Sequence, residues 1–149
     1  MTSLEEILKS RGINYQFVKV KDAKTVKDAS NSLGIDEGKI AKTVIVIADN
    51  KPLAIFLRGN KRVNLEKVKE FLRVSEVRIA KAKEVRELTG YQVGGVPPII
   101  EGVETIVDLD LASDSDYVYC GGGDEKTLLR ISPKELVEKF NLKVLNVNH

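Results

Sequence analysis

The chain has 149 residues, 42% hydrophobic and 31% charged, with 24 basic side chains against 22 acidic and a formal net charge of +2. That length suits one domain over residues 1–149, and the hydrophobic share is enough for a sizeable core. A single cysteine excludes an internal disulfide, the one histidine is the last residue, and no apolar run approaches the ~20 residues of a membrane helix. The opening Met-Thr-Ser-Leu-Glu-Glu is no secretory signal. A cytoplasmic protein that does not enter the membrane is expected.

Ser3-Leu4-Glu5-Glu6 spells a capping box, and Leu4, Ile7 and Leu8 share a helical face. Gly12 ends that helix. Tyr15 to Val20 alternates as a strand. Thr25 caps a second helix, with Val26, Ala29 and Leu33 inward and Gly34 as its stop. Ile40 to Ala48 is a nearly continuous β-branched run, which marks a strand buried on both faces. Asp49-Asn50-Lys51-Pro52 turns it back into Leu53 to Leu57, and the pair predicts a hairpin.

Arg58 to Arg62 is a basic loop, and Asn64 caps a helix reaching Phe71. Val77 to Ile79 reads as a short strand and Lys83 to Thr89 as a helix closed by Gly90. Ile99 and Ile100 are strand-like. Thr105 to Asp108 and Tyr117 to Cys120 are short strands, and Gly121-Gly122-Gly123 is a tight turn or a second place of close backbone approach. Thr127 to Ile131 is a strand. Ser132-Pro133-Lys134-Glu135 opens the last helix, to about Phe140, with Val144 to Val147 as a final strand. Strands and helices interleave without strict alternation, so the fold class is α/β (mixed α+β), a strongly curved mixed sheet.

Several chemistries drop out. With only His149, at the terminus, Ser-His-Asp and Cys-His catalysis are excluded, and a zinc site is improbable. Asp108 and Asp110 spell either a carboxylate pair for Mg²⁺ or an acidic turn, and the turn is favoured. Cys120 reads as a small buried hydrophobe rather than a reactive thiol. Charge is unevenly spread: Arg58 to Arg86 holds ten Lys or Arg and four Glu, while Glu101 to Glu125 holds eight acidic residues and no basic one. That is either a footprint for a polyanion or an ordinary solvated surface.

Two features carry chemistry. Lys42 starts an apolar strand, where an ammonium group needs a partner or a cavity, or else sits at the strand's edge with its head in water. Gly90 to Pro98, Gly-Tyr-Gln-Val-Gly-Gly-Val-Pro-Pro, is either a plain connecting turn or a stiff loop. In the latter case the amides of Gly94, Gly95 and Val96 stay open to a carbonyl or phosphate oxygen.

The segments Ala29 to Gly34, Ile40-Ala41-Lys42-Thr43-Val44, Val63 to Lys67, Glu84 to Tyr91, Gly94-Gly95-Val96-Pro97-Pro98, Tyr117 to Gly122 and Ile131 to Leu136 stand in a characteristic order. In this the chain resembles the YbaK and prolyl-tRNA synthetase editing-domain family of aminoacyl-tRNA deacylases. The resemblance implies a single domain with a curved, mostly antiparallel mixed sheet wrapped by helices. It also implies hydrolysis of a mischarged tRNA without cofactor or metal. The essential lysine would be Lys42 of the Lys42-Thr43 pair, and the loop holding the aminoacyl ester would be Gly94 to Pro98. Thr43, Pro98, Gly121 and Gly122 would then contact substrate, and Arg58, Lys61 and Arg62 the tRNA. An aminoacyl-tRNA synthetase is a possible partner. The chain departs from cysteinyl-tRNA-specific members at Val20, where they carry tyrosine, near Leu128, where they carry aspartate, and at Gly123 to Lys126. Those departures bear on amino-acid specificity. The competing expectation is a non-catalytic module that holds tRNA or a synthetase in the same pocket.

Overall fold

A computed structural model of the chain describes residues 3–149; Met1 and Thr2, which head the stretch read as no secretory signal, lie outside the described residues. The expected mixed α/β fold is present, with the strands divided between two sheets. One is antiparallel: β1 (Tyr15–Lys19), β7 (Thr127–Ile131) and β6 (Val118–Gly121), in that order. The other runs β4 (Val77–Ile79), β2 (Ala41–Ala48), β3 (Lys51–Arg58), β5 (Glu104–Asp108), β8 (Lys143–Leu145). Its β4–β2 and β2–β3 pairs are antiparallel, and β3–β5 and β5–β8 are parallel. The sheets meet at one parallel bridge, Ile40 with Tyr119.

The β2–β3 hairpin turns on two residues, not four. Asp49 and Asn50 both take positive φ, 45° and 70°, the turn that matches strand twist and that these side chains tolerate. Pro52 therefore lies inside β3 opposite Ile47, just before β5 begins to pair at Leu53, where its missing N–H costs no ladder bond. Asp49 also accepts from the amides of Ser75 and Glu76, which delivers β4 to the open side of β2.

The β-branched run of β2 is apolar on both faces because both are covered. Val46 and Ala48 pack with Val68 of helix α3 (Leu65–Leu72), while Ile45 and Ile47 pack with Val85 of α4 (Ala82–Thr89) and Val96. Phe56, Leu129, Ile131 and Leu136 fill the space between the sheets, with α1 (Leu4–Ser10) and α6 (Pro133–Phe140) closing it. Helix α2 (Val26–Leu33) starts at Thr25, whose hydroxyl accepts from Asp28, and stops at left-handed Gly34. Its Ala29 packs on Ile40 and Leu128.

Two local expectations change and one element is added. Ile99 and Ile100 are not a strand: Ile100 bridges Val103 around Gly102, at φ 80°. A four-residue helix, α5 (Leu109–Ala112), follows β5 directly. The last strand ends at Leu145, two residues short of the expected Val147.

Candidate active site

Strand β2 is covered on its outer edge at both ends but not in the middle. β4 pairs with Val46 to Ala48, and β6 bridges Ile40, just before β2 begins. Between them a cavity of about 440 Å³ opens along Ala41 to Ile45. Its other walls come from the start of α2, from Ala80 and Val85, from Gly94 and Val96, and from Cys120 and Gly121 at the end of β6. Four of the lining side chains are alanines, at 23, 29, 41 and 80, so the space exists because inward positions carry small groups. Among the described residues no carboxylate lines it.

Lys42 is half-buried at this cavity, and its Nζ donates to the Gly59 carbonyl at 3.2 Å. Desolvation and, secondarily, the nearby Arg62 guanidinium hold its pKa below that of an ordinary lysine. Among the described residues it has no ion-pair partner. A charged group accepted only by a neutral carbonyl retains two ammonium protons for an incoming oxygen. The Gly59 loop that supplies the carbonyl is tightly seated. Its N–H donates to the Ile40 carbonyl at 2.6 Å, and a Cβ on Gly59 would meet Val26 Cγ1 at 2.5 Å.

The glycine loop lines the same cavity and is held by close backbone approach. A Cβ on Gly94 would stand 2.8 Å from Lys24 Cα, and one on Gly121 would collide with the Val96 carbonyl. Thr105 Oγ1 donates to the Pro98 carbonyl at 2.7 Å and anchors the loop's far end to β5. The three loop amides differ. Gly95 donates to the Gln92 carbonyl at 2.8 Å and accepts from Gly123, so its amide, read from the sequence as open, is closed. The amides of Gly94 and Val96 have no backbone or side-chain partner among the described residues, and both residues border the cavity.

Of the residues singled out from the sequence, Lys42, Thr43, Gly94, Val96 and Gly121 line one space. Gly95, Pro98 and Gly122 do not line it. Pro98 is buried behind the loop, and Gly122 donates to the Thr127 carbonyl in the β6–β7 turn. Lys61 and Arg62 are exposed beside the Lys42 end, without ion-pair partners among the described residues. Arg58 instead turns inward. Its guanidinium meets Asp110 and Asp114, each at 2.9 Å, and the Gly38 carbonyl. Asp108 and Asp110 part company: buried Asp108 accepts from the Val147 amide and the Asn148 side chain, while Asp110 serves Arg58.

Cys120 lies at the cavity, fully buried, with burial pushing its thiol pKa up. Sequence reasoning missed Lys24, Thr25, Val26, Ala80 and Val85 as wall residues, because helical spacing marks a side chain as inward without saying whether core or space lies there.

The chain is similar to known proteins over most of its length. The proline–tRNA ligases of Caldicellulosiruptor saccharolyticus and Halalkalibacterium halodurans are 32% and 34% identical over 75% and 73% of the chain. The chain spans only 19% of the length of each. A crystal structure of a hypothetical protein superposes with a TM-score of 0.91 at 40% identity, covering 98% of this chain and 99% of that one. A proposed trans-editing enzyme for prolyl tRNA synthetase gives 0.83 at 29% identity, covering 95% and 92%. The family description "Aminoacyl-tRNA editing domain" matches residues 20–139, a span that contains the whole cavity wall, and the chain belongs to that family.

Proposed function

We propose that residues 1–149 act as a single editing domain that hydrolyses the ester of a mischarged aminoacyl-tRNA. The observation that carries this reading is the shared cavity, which Lys42 lines together with Gly94 and Val96, whose amides have no partner among the described residues. An aminoacyl ester is already activated, so its cleavage needs positioning and charge stabilisation more than a protein nucleophile. The Gly94 and Val96 amides receive the carbonyl oxygen as negative charge develops on it. Removing one such donor typically raises a barrier by ~3 kcal/mol. Lys42 anchors the terminal phosphate or ribose, and a water assisted by a substrate hydroxyl attacks the acyl carbon. The ester C–O bond breaks and the ribose oxygen takes the proton. Lys61 and Arg62 extend the positive rim toward the acceptor stem, and the aliphatic wall selects by size.

The named relatives are proline–tRNA ligases, and one solved neighbour is a proposed trans-editing enzyme for prolyl tRNA synthetase. The tRNA is therefore inferred to be one charged by that synthetase, which is also the candidate partner. The test incubates the purified chain with a panel of mischarged tRNAs and follows the loss of aminoacyl label. Release from at least one species, abolished by Lys42→Ala in a folded variant, supports the reading. A chain that binds these tRNAs and releases nothing is the non-catalytic module.

A further inference from the structure

The open stretch of β2 carries an unfilled rung. Along β2 the main-chain groups alternate between the β3 side and the outer edge. On the outer side Asp49 donates to the Glu76 carbonyl at 3.0 Å, and the Ile45 carbonyl accepts from Ala80 at 2.9 Å. The same alternation turns the N–H and C=O of Thr43 outward. Its cross-strand neighbour Phe56 lies on the other side, and on the outward side β4 pairs only from Val46 onward, so no ladder strand is paired with Thr43 there among the described residues. One more step of the β2–β4 register would set Ala82 against Thr43, but Ala82 is where the chain has turned into α4. The place is occupied by the cavity.

A second, independent sign marks the same residue. Thr43 Oγ1 is the single buried side-chain oxygen or nitrogen without a hydrogen-bond partner among the described residues. Buried polar groups are nearly always paired, and an orphan at a cavity wall points to a partner that arrives with a ligand.

Resting on the deacylase reading, we propose that the aminoacyl group binds as the missing rung, in the manner of a one-residue β-strand. Its α-ammonium donates to the Thr43 carbonyl and is within reach of Oγ1, and its acyl oxygen accepts from the Thr43 N–H. A carbonyl oxygen has a second lone pair, which is left for the Gly94 and Val96 amides. Directly opposed residues of an antiparallel ladder carry their side chains on the same face. An L-aminoacyl group thus sends its side chain to the face of Thr43 and Ile45, into the apolar part of the cavity. A D-aminoacyl group sends it to the Lys42 face. The substrate class is L-α-aminoacyl esters, recognised through the backbone. An acyl group without the α-amino function is discriminated against whatever its side chain.

Three amide-linked analogues of the terminal adenosine test this: L-alanyl, D-alanyl and propionyl, the last lacking the α-amino group. Alanine is the smallest chiral side chain, so cavity size does not decide the outcome. The L-alanyl analogue is expected to bind about tenfold or more tightly than either other. It should also shift the Thr43 amide resonance downfield and slow its hydrogen exchange. Thr43→Val is expected to weaken the L-alanyl analogue alone, with Thr43→Ser restoring it. Equal affinities, or a Thr43 amide that does not respond while Gly94 and Val96 do, overturn the rung and leave the deacylase reading standing. Failure of all three to enter the cavity also overturns it, and the tRNA assay then decides separately whether hydrolysis falls too.

Discussion

Lys42 Nζ donates to the carbonyl of Gly59 at 3.2 Å, and Gly59 has no room for a side chain. The same glycine bonds to Ile40 and touches Val26, so one residue sets the spacing between the start of β2, the start of α2 and the ammonium group. Gly59→Ala is expected to push the loop off Val26 and swing Lys42 out of place. Overpacking of this kind costs about 1–3 kcal/mol. Deacylation should fall by more than the loss of folded protein accounts for. The double variant Gly59→Ala/Val26→Ala removes the 2.5 Å clash and should recover part of the activity. If single and double variants are equally active, Gly59 has no part in orienting Lys42.

The charge on Lys42 is held against desolvation and against Arg62, which predicts its titration. In the folded chain its pKa is lowered, so the unfolded state binds more protons between the folded value and the ordinary lysine value. Stability therefore rises with pH through that window, and the penalty is fully present below it. Lys42→Met is expected to leave the melting temperature at neutral pH unchanged or higher. Arg62→Ala removes one of the two causes and should move the Lys42 titration upward. Amine-labelling rates against pH, read by mass spectrometry at Lys42, measure both. A Lys42 that labels like a surface lysine contradicts the half-buried geometry.

The hairpin and the helix caps were legible because each depends on local chemistry, whereas the pairing of Lys42 with the glycine loop was implied only by the family resemblance. Asp-Asn tolerates positive φ, Thr25 and Ser132 accept from amides, and an ammonium in an apolar strand needs an explanation. The cavity itself was not. Ala23, Ala29, Ala41 and Ala80 spell an inward face whether they pack or leave space, and that depends on what the neighbouring elements bring. Gly95 illustrates the same limit. Its amide looks as open in sequence as those of Gly94 and Val96, and only the 3₁₀ turn over Val93–Gly95 hands it to Gln92. The α5 helix is too short to show a period, and its Asp110 gave no sign of Arg58, 52 positions earlier.

Asp108 is buried at the end of β5, and its two oxygens accept from the Val147 amide at 2.9 Å and from Asn148 Nδ2 at 2.6 Å. These bonds hold the last residues against the Asn64 cap of α3, whose N–H donates to the Val147 carbonyl. Asp108→Ala leaves a buried N–H without a partner and is expected to cost about 2–4 kcal/mol. Denaturant unfolding measures the loss, and hydrogen exchange at Val147 localises it. The cavity lies on other elements, so activity per folded molecule should be retained. Full stability in the variant would show that the tail needs no such anchor.

Arg58, Lys61 and Arg62 sit within five positions of one another, yet their surroundings separate them. The Arg58 side chain is 18% exposed and meets two carboxylates, one of them, Asp114, only 13% exposed. Lys61 and Arg62 face solvent. Removing Arg58 strips charge-assisted hydrogen bonds from Asp110 and Asp114, so Arg58→Ala should lose about 1–3 kcal/mol of stability. Its effect on the salt dependence of tRNA binding should be small. Lys61→Ala and Arg62→Ala should do the reverse, with unchanged stability and weaker binding. The slope of log affinity against log salt should fall by about one for each phosphate that the variant no longer neutralises. Titration of the three variants with one tRNA across a salt series separates the cases. A reduced slope for Arg58→Ala at full stability would move Arg58 from the scaffold to the interface, and flat slopes throughout would remove the basic rim from tRNA binding.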